Sequence, residues 1–142
     1  MEATVSHEFL PEAPQVSALR AWLIEQLAVL RVPDEINFRV QLCAEELFTN
    51  LVMHASWPRG PLPVVVVLGY EEGRLTLELT DAARAFSPDD APVHDAPASV
   101  EAAKIGGLGV KFVREFSEGL RYASDAHGNR TSVTFEPRDA TA

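Results

Sequence analysis

Ala44-Glu45-Glu46-Leu47-Phe48-Thr49-Asn50-Leu51-Val52-Met53-His54-Ala55 combines the apolar spacing of a helix with a polar pair one turn apart. Ile36, Val40, Cys43, Leu47, Leu51 and Ala55 recur at intervals of three and four, so a helix runs from Pro33-Asp34 to about Ala55. Pro33 suits its start, where a missing N–H costs nothing. Glu46 and Asn50 share one face beside this stripe. A carboxylate can act as a base or orient a water, and an amide oxygen can hold magnesium. The same spacing also describes a solvated helix flank. His54 continues the face one turn further, where a lone histidine is more often structural than a ligand.

Upstream, Thr4 to Leu10 reads as a first strand, ended by Pro11 and Pro14. Val16, Leu19, Leu23, Leu27 and Leu30 then mark an amphipathic helix over about 15–30. Downstream, Ser56 to Pro63 is a loop, and Val64 to Tyr70 is a β-branched run. Glu71-Glu72-Gly73 has hairpin-turn chemistry, and Leu75, Leu77 and Leu79 alternate with polar residues up to Asp81. From Ala82 to Ile105 the pattern gives way to Pro, Asp, Ala and Ser, a length of loop that in compact domains is usually functional or mobile. A helix over about Gly109–Phe116 follows. Two strands, Gly119–Ser124 and Thr131–Glu136, flank the turn His127-Gly128-Asn129, and residues 137–142 read as a flexible tail. This order predicts a single α/β domain over residues 1–142. It is a two-layer sandwich, a mostly antiparallel mixed sheet with helices on one face.

The 142 residues suffice for one core, and 46% of them are hydrophobic. A net charge of −9 argues against nucleic acid and anionic membranes as partners, because both require a basic surface. The single cysteine, Cys43, cannot form an internal disulfide, which fits a reducing compartment. No apolar segment approaches membrane-spanning length, so a soluble cytoplasmic protein is expected. The four histidines show no ligand spacing with Cys43.

Two further segments carry chemistry. Asp81, at a strand end ahead of Phe86 and Pro88, can accept a hydrogen bond from an adenine amino group, or simply initiate a turn. Gly106-Gly107-Leu108-Gly109 opens a helix, so its amides can approach an anion at the positive helix end, or it serves as a hinge. It is not a P-loop, because no Gly-Lys-Ser/Thr ending follows, and no strand directly precedes it as a dinucleotide fingerprint would require.

Taken together, these segments resemble the GHKL ATP-binding superfamily, and within it the small stand-alone anti-sigma-factor serine kinases of bacterial partner-switching systems. Ala44 to Ala55 is similar to the N box. Leu79-Thr80-Asp81 through Phe86-Ser87-Pro88 is similar to the adenine-binding G1 box, and Gly106 to Val110 through Val113-Arg114 to the G2 box that ends the ATP lid. Gly128-Asn129-Arg130 before the final strand also fits. The resemblance covers residues 5 to 136 and implies ATP and Mg2+ as cofactors. It gives Asn50 the magnesium ion, Glu46 the role of general base and Asp81 the adenine amino group. His54, Phe86, Lys104, Leu108 and Thr131 join the nucleotide site, with Gly107 and Gly109 presenting amides to the phosphates and 87–105 forming the lid. Ala83 stands where the family has glycine two positions after the aspartate, and Ala85 where Gly or Pro is usual.

The function implied is an ATP-dependent serine/threonine protein kinase and anti-sigma-type regulator. It would bind and phosphorylate a STAS-type antagonist protein that competes with a sigma factor or another output protein. A homodimer is expected by the same resemblance. The alternative is a catalytically inactive ATP-binding partner-switching module. A histidine-kinase fragment is disfavoured, because the chain has no dimerising helical pair carrying a phosphoacceptor histidine.

Overall fold

The computed structural model describes residues 3–84 and 109–138. In chain order they form β1 (Ala3–Phe9), α1 (Gln15–Val29), α2 (Asp34–His54), β2 (Val64–Glu71), β3 (Arg74–Asp81), α3 (Gly109–Phe116), β4 (Gly119–Asp125) and β5 (Gly128–Phe135). Phe86, Lys104, Gly107, Leu108 and the expected lid over 87–105 lie outside the described residues, as do 139–142.

Among the described residues five strands pair in the order β1-β2-β3-β5-β4, and all four pairings are antiparallel. The period of two sends Val64, Val66 and Leu68, then Leu75, Leu77 and Leu79, then Val133 and Phe135, to one buried face. Helices α1 and α2 pack together, with α1 against β1 and α2 over β3 and β5. Leu19, Leu23 and Leu27 of α1 and Ile36, Val40, Cys43, Leu47 and Phe48 of α2 fill the space between the layers. Burial pushes the Cys43 thiol up to about 12, so it behaves as a small apolar side chain.

Local chemistry sets the turns. Glu72 and Gly73 both have positive φ, 50° and 81°, as the two-residue turn joining β2 to β3 requires. After α1, Val32 N–H donates to the Leu27 carbonyl and Arg31 N–H to that of Ala28, both at 3.0 Å. This closes a Schellman motif with Arg31 at φ 59°, while Leu27 and Val32 are both buried beside it. Asp34 and Glu35 then occupy the first turn of α2, where the helix dipole favours negative charge.

The last hairpin differs from its sequence-based boundaries. Gly128 and Asn129 belong to β5, and the turn is formed by Ala126 and His127, with Asp125 Oδ1 accepting the His127 N–H at 2.7 Å. Gly128 has φ 137°, and a Cβ there would lie 2.5 Å from the Asp81 carbonyl oxygen, so only glycine permits β5 to begin this close to the end of β3. Beyond β5 the chain stays anchored through Arg138. Its Nε donates to Glu118 at 2.8 Å and its guanidinium to the Glu115 and Ser117 carbonyls.

Arg39 is the one charged side chain of α2 taken into the interior, at 3% exposure. It donates to Glu35, to Glu118 at 3.1 Å, to the Phe116 carbonyl at 3.1 Å and to the Glu136 carbonyl at 2.5 Å, and its guanidinium lies 5.8 Å from the Phe135 ring centroid. Arg39→Ala removes the buried partner of two part-exposed carboxylates and two backbone carbonyls, so it is expected to cost about 1–3 kcal/mol by urea unfolding. The exposed Arg20–Glu45 pair is expected to contribute no more than about 1 kcal/mol. Hydrogen bonding from Arg39 holds the Glu35 carboxyl below its ordinary value. Burial pushes Glu118 up, but bonds from Arg138, the Glu136 N–H and Arg39 outweigh it, and the net shift is downward. Both groups therefore stabilise the fold fully above the usual glutamate range, and that stability drains as pH falls through the depressed values. A urea midpoint measured from pH 7 to pH 3 should drop in the acid range, and drop less steeply in Arg39→Ala.

Candidate nucleotide site

A cavity of about 310 Å³ opens where β3 ends and β5 begins, between the sheet and the helical layer. Leu47, Asn50, Leu51 and His54 of α2 form one wall, with Val110 of α3 nearby. Leu79 and Asp81 of β3, Tyr122 of β4, and Asn129 and Thr131 of β5 form the other. Ala55, Ser56, Ala83 and Arg84 complete the lining. An Arg84 N–H bond to the Ser56 carbonyl at 2.7 Å ties the segment after β3 to the segment after α2. A mostly apolar cleft with a few convergent polar groups suits a small organic ligand.

The strand register explains the polar end. Asp81 pairs with Asn129, and Asn129 with Ser124, so these three side chains stand in one row on the helix-facing side of the sheet. Asp81 is 8% exposed. Its Oδ1 accepts the Ala83 N–H at 2.9 Å and the Asn129 Nδ2 at 2.8 Å, and among the described residues Oδ2 receives no bond. Asn129 Nδ2 also donates to the Ala83 carbonyl at 2.8 Å, while its Oδ1 accepts from Tyr122 at 2.9 Å and Ser124 at 2.8 Å. Burial raises the Asp81 carboxyl above its ordinary value, and the bonds from Asn129 and Ala83 oppose that rise.

Ala83 uses both backbone groups in this network, as an Asx-type turn on Asp81. Only Arg31 and Glu72 among the described non-glycine residues have positive φ, so alanine is accommodated here without backbone strain.

Of the residues singled out in the sequence, Asn50, His54, Asp81 and Thr131 come together around one cavity. Gly109 is buried at the start of α3, next to the cavity-lining Val110. Glu46 is half-buried one turn back along α2 and is outside the cavity lining. Tyr122 carries no sequence signal of its own, and Asn129 is marked in the sequence only as part of Gly128-Asn129-Arg130, with no role attached. An asparagine beside a hairpin turn reads as turn chemistry, and only the pairing of β5 with β3 brings it to Asp81. Among the described residues no group of three or more His, Cys, Asp or Glu could hold a metal ion. Asn50 brings one amide oxygen to the cavity wall, a hard donor of the kind magnesium takes when water and phosphate supply its other ligands.

The family profile described as the histidine kinase-like ATPase domain matches residues 9–135. The chain is 29% identical over 114 residues to the serine/threonine-protein kinase BtrW of Bordetella bronchiseptica, covering 80% of each protein. It superposes with a TM-score of 0.68 and 14% identity on the crystal structure of the RsbU and RsbW domains of Rv1364c from Mycobacterium tuberculosis. That match covers 94% of this chain and 32% of the other, and at this identity it establishes the fold. With its antiparallel sheet, its helical face and its cavity at the end of β3, the chain belongs to the histidine kinase-like ATPase domain family.

Proposed function

We propose that this protein is an ATP-dependent serine/threonine protein kinase and anti-sigma-type regulator whose substrate is a STAS-type antagonist protein. The observation that carries the reading is the meeting of Asn50 and Asp81, from separate elements, around one cavity. The kinase relative BtrW supports the reaction class.

Bound magnesium ATP supplies the transferable phosphoryl group and the neutralisation of its charge. The protein's own contribution is positioning. Asp81 Oδ2 is free among the described residues to accept from the adenine amino group, with Leu47, Leu51, Leu79 and Val110 offering apolar surface to the ring. Asn50 offers its amide oxygen to the metal, and Gly109 its amide to the phosphates. Glu46 takes the proton of the attacking serine or threonine hydroxyl on the partner. Its place outside the cavity lining also favours the second reading, an ATP-binding switch module without transfer.

Glu46→Gln separates the two. General-base assistance is typically worth about 10²–10⁴ in rate, so the variant should bind nucleotide and antagonist normally while phosphorylating it about a hundredfold more slowly or worse. Radiolabelled γ-phosphate transfer with the wild type as reference measures this. Transfer by neither protein, with ATP-dependent partner binding in both, would leave the switch module as the function.

Asn50→Ala should remove most of the magnesium dependence of the nucleotide-induced rise in Tm. For Asp81, burial disfavours the charged form, so its deprotonation above the ordinary range costs stability. Asp81→Asn keeps an acceptor for the Ala83 and Asn129 N–H groups. Its Tm at pH 7 without nucleotide should be no lower than wild type, while ATP affinity falls. Ala83→Gly should leave ATP affinity within about threefold by calorimetry, since Ala83 needs no glycine-specific backbone angle.

A further inference from the structure

We infer that Asn129 is a specificity-determining positioning residue, which holds the Asp81 carboxylate so that its cavity-side oxygen only accepts hydrogen bonds and thereby selects a 6-amino over a 6-oxo purine. This rests on the reading of Asp81 as the group that meets the adenine ring.

The argument is one of donors and acceptors. Asn129 is 4% exposed, and both ends of its carboxamide are engaged. Nδ2 donates to Asp81 Oδ1 and to the Ala83 carbonyl, each at 2.8 Å. A rotated amide would set its oxygen against two acceptors, so those neighbours dictate its orientation. The Tyr122 and Ser124 hydroxyls then donate to its oxygen from β4 and hold the group from behind. With two N–H groups already on Oδ1, a proton arriving at Asp81 must sit on Oδ2. That would turn the purine-reading oxygen from acceptor into donor. The Asn129 bond disfavours this protonation in a carboxyl that burial otherwise pushes toward it. The other polar or ionisable groups lining the cavity around Asp81 are Asn50 and His54 from α2, Ser56 and Arg84 from the segments after α2 and β3, and Tyr122 and Thr131 from the neighbouring strands.

An ionised Oδ2 attracts the adenine amino group and opposes the 6-oxo oxygen of hypoxanthine, a mismatch of the kind that buried polar groups punish strongly. The test is the ratio of dissociation constants for magnesium ITP and magnesium ATP, measured by calorimetry from pH 5.5 to 8. Phosphate ionisation is common to both ligands and cancels in the ratio. Asn129→Leu should lower that ratio by about tenfold, through weaker ATP binding and little change in ITP, with the larger loss at pH 5.5. A purely structural role would weaken both nucleotides equally at every pH.

Tyr122→Phe combined with Ser124→Ala removes both donors to the Asn129 oxygen from half-buried and exposed positions. This pair should lower the ratio by about threefold, and it decides the matter if Asn129→Leu fails to melt cooperatively. Asp81→Asn is the control. If it retains the wild-type ratio, Asp81 does not read the purine, and the underlying assignment fails. If Asp81→Asn collapses the ratio while the Asn129 and Tyr122/Ser124 variants keep it, Asp81 acts unaided and the role of Asn129 is overturned.

Discussion

The buried guanidinium of Arg39 sets the frame on which the site hangs. A charge can remain in the interior only with its hydrogen bonds met, and Arg39 meets them with four partners on three stretches of chain. Glu35 lies one turn away on α2, the Phe116 carbonyl ends α3, Glu118 precedes β4, and the Glu136 carbonyl follows β5. Moving any of these away would leave part of the guanidinium without its hydrogen bond. Helix α2 is thereby fixed at its N-terminal half relative to α3 and the last hairpin. Its C-terminal half carries Asn50 and His54 to the cavity, where their height over β3 and β5 follows from that anchorage.

At the opposite end of α2 the balance is different. Asp81 is a buried carboxylate whose ionised form is disfavoured by its surroundings, partly offset by two N–H donors on one oxygen. The other oxygen is left without a bond among the described residues. A fold optimised for stability alone would place an apolar residue at the end of its central strand. Asp81 stands there instead and lines the cleft, in keeping with the tendency of under-satisfied groups to gather at functional sites. The same economy explains Ala83. Its backbone, rather than its side chain, serves Asp81 and Asn129, so a residue other than glycine stands there without strain.

Most of the architecture was legible in the residues, because burial imposes period. Val16, Leu19, Leu23, Leu27 and Leu30 located α1, and Leu75, Leu77 and Leu79 located β3, since a helix or strand half in water must alternate in just this way. Gly73 located the first hairpin through its positive φ. The second hairpin was placed a little late, because Gly128 and Asn129 resemble turn residues in composition. In the folded chain Gly128 permits close approach to Asp81, and Asn129 serves a neighbouring strand. The interior position of Arg39 had no local sign at all. An arginine at helical spacing reads as solvated until the carbonyls that receive it are known.

The sequence by itself determined the element order, the apolar faces, and the presence of Glu46, Asn50, Asp81 and a glycine run in the spacing of an ATP-binding family. These are properties of short segments, set by steric and solvation rules acting over a few neighbours. Tertiary structure alone decided which of them share a cavity. Asn50, His54, Asp81 and Thr131 line one cleft, whereas Glu46 lies outside its lining. It also decided that Asn129 meets Asp81, because that contact depends on β5 pairing with β3 from beyond α3 and β4. Hydrogen bonds between residues far apart in the chain exist only once the register of the sheet has brought donor and acceptor within about 3 Å of each other.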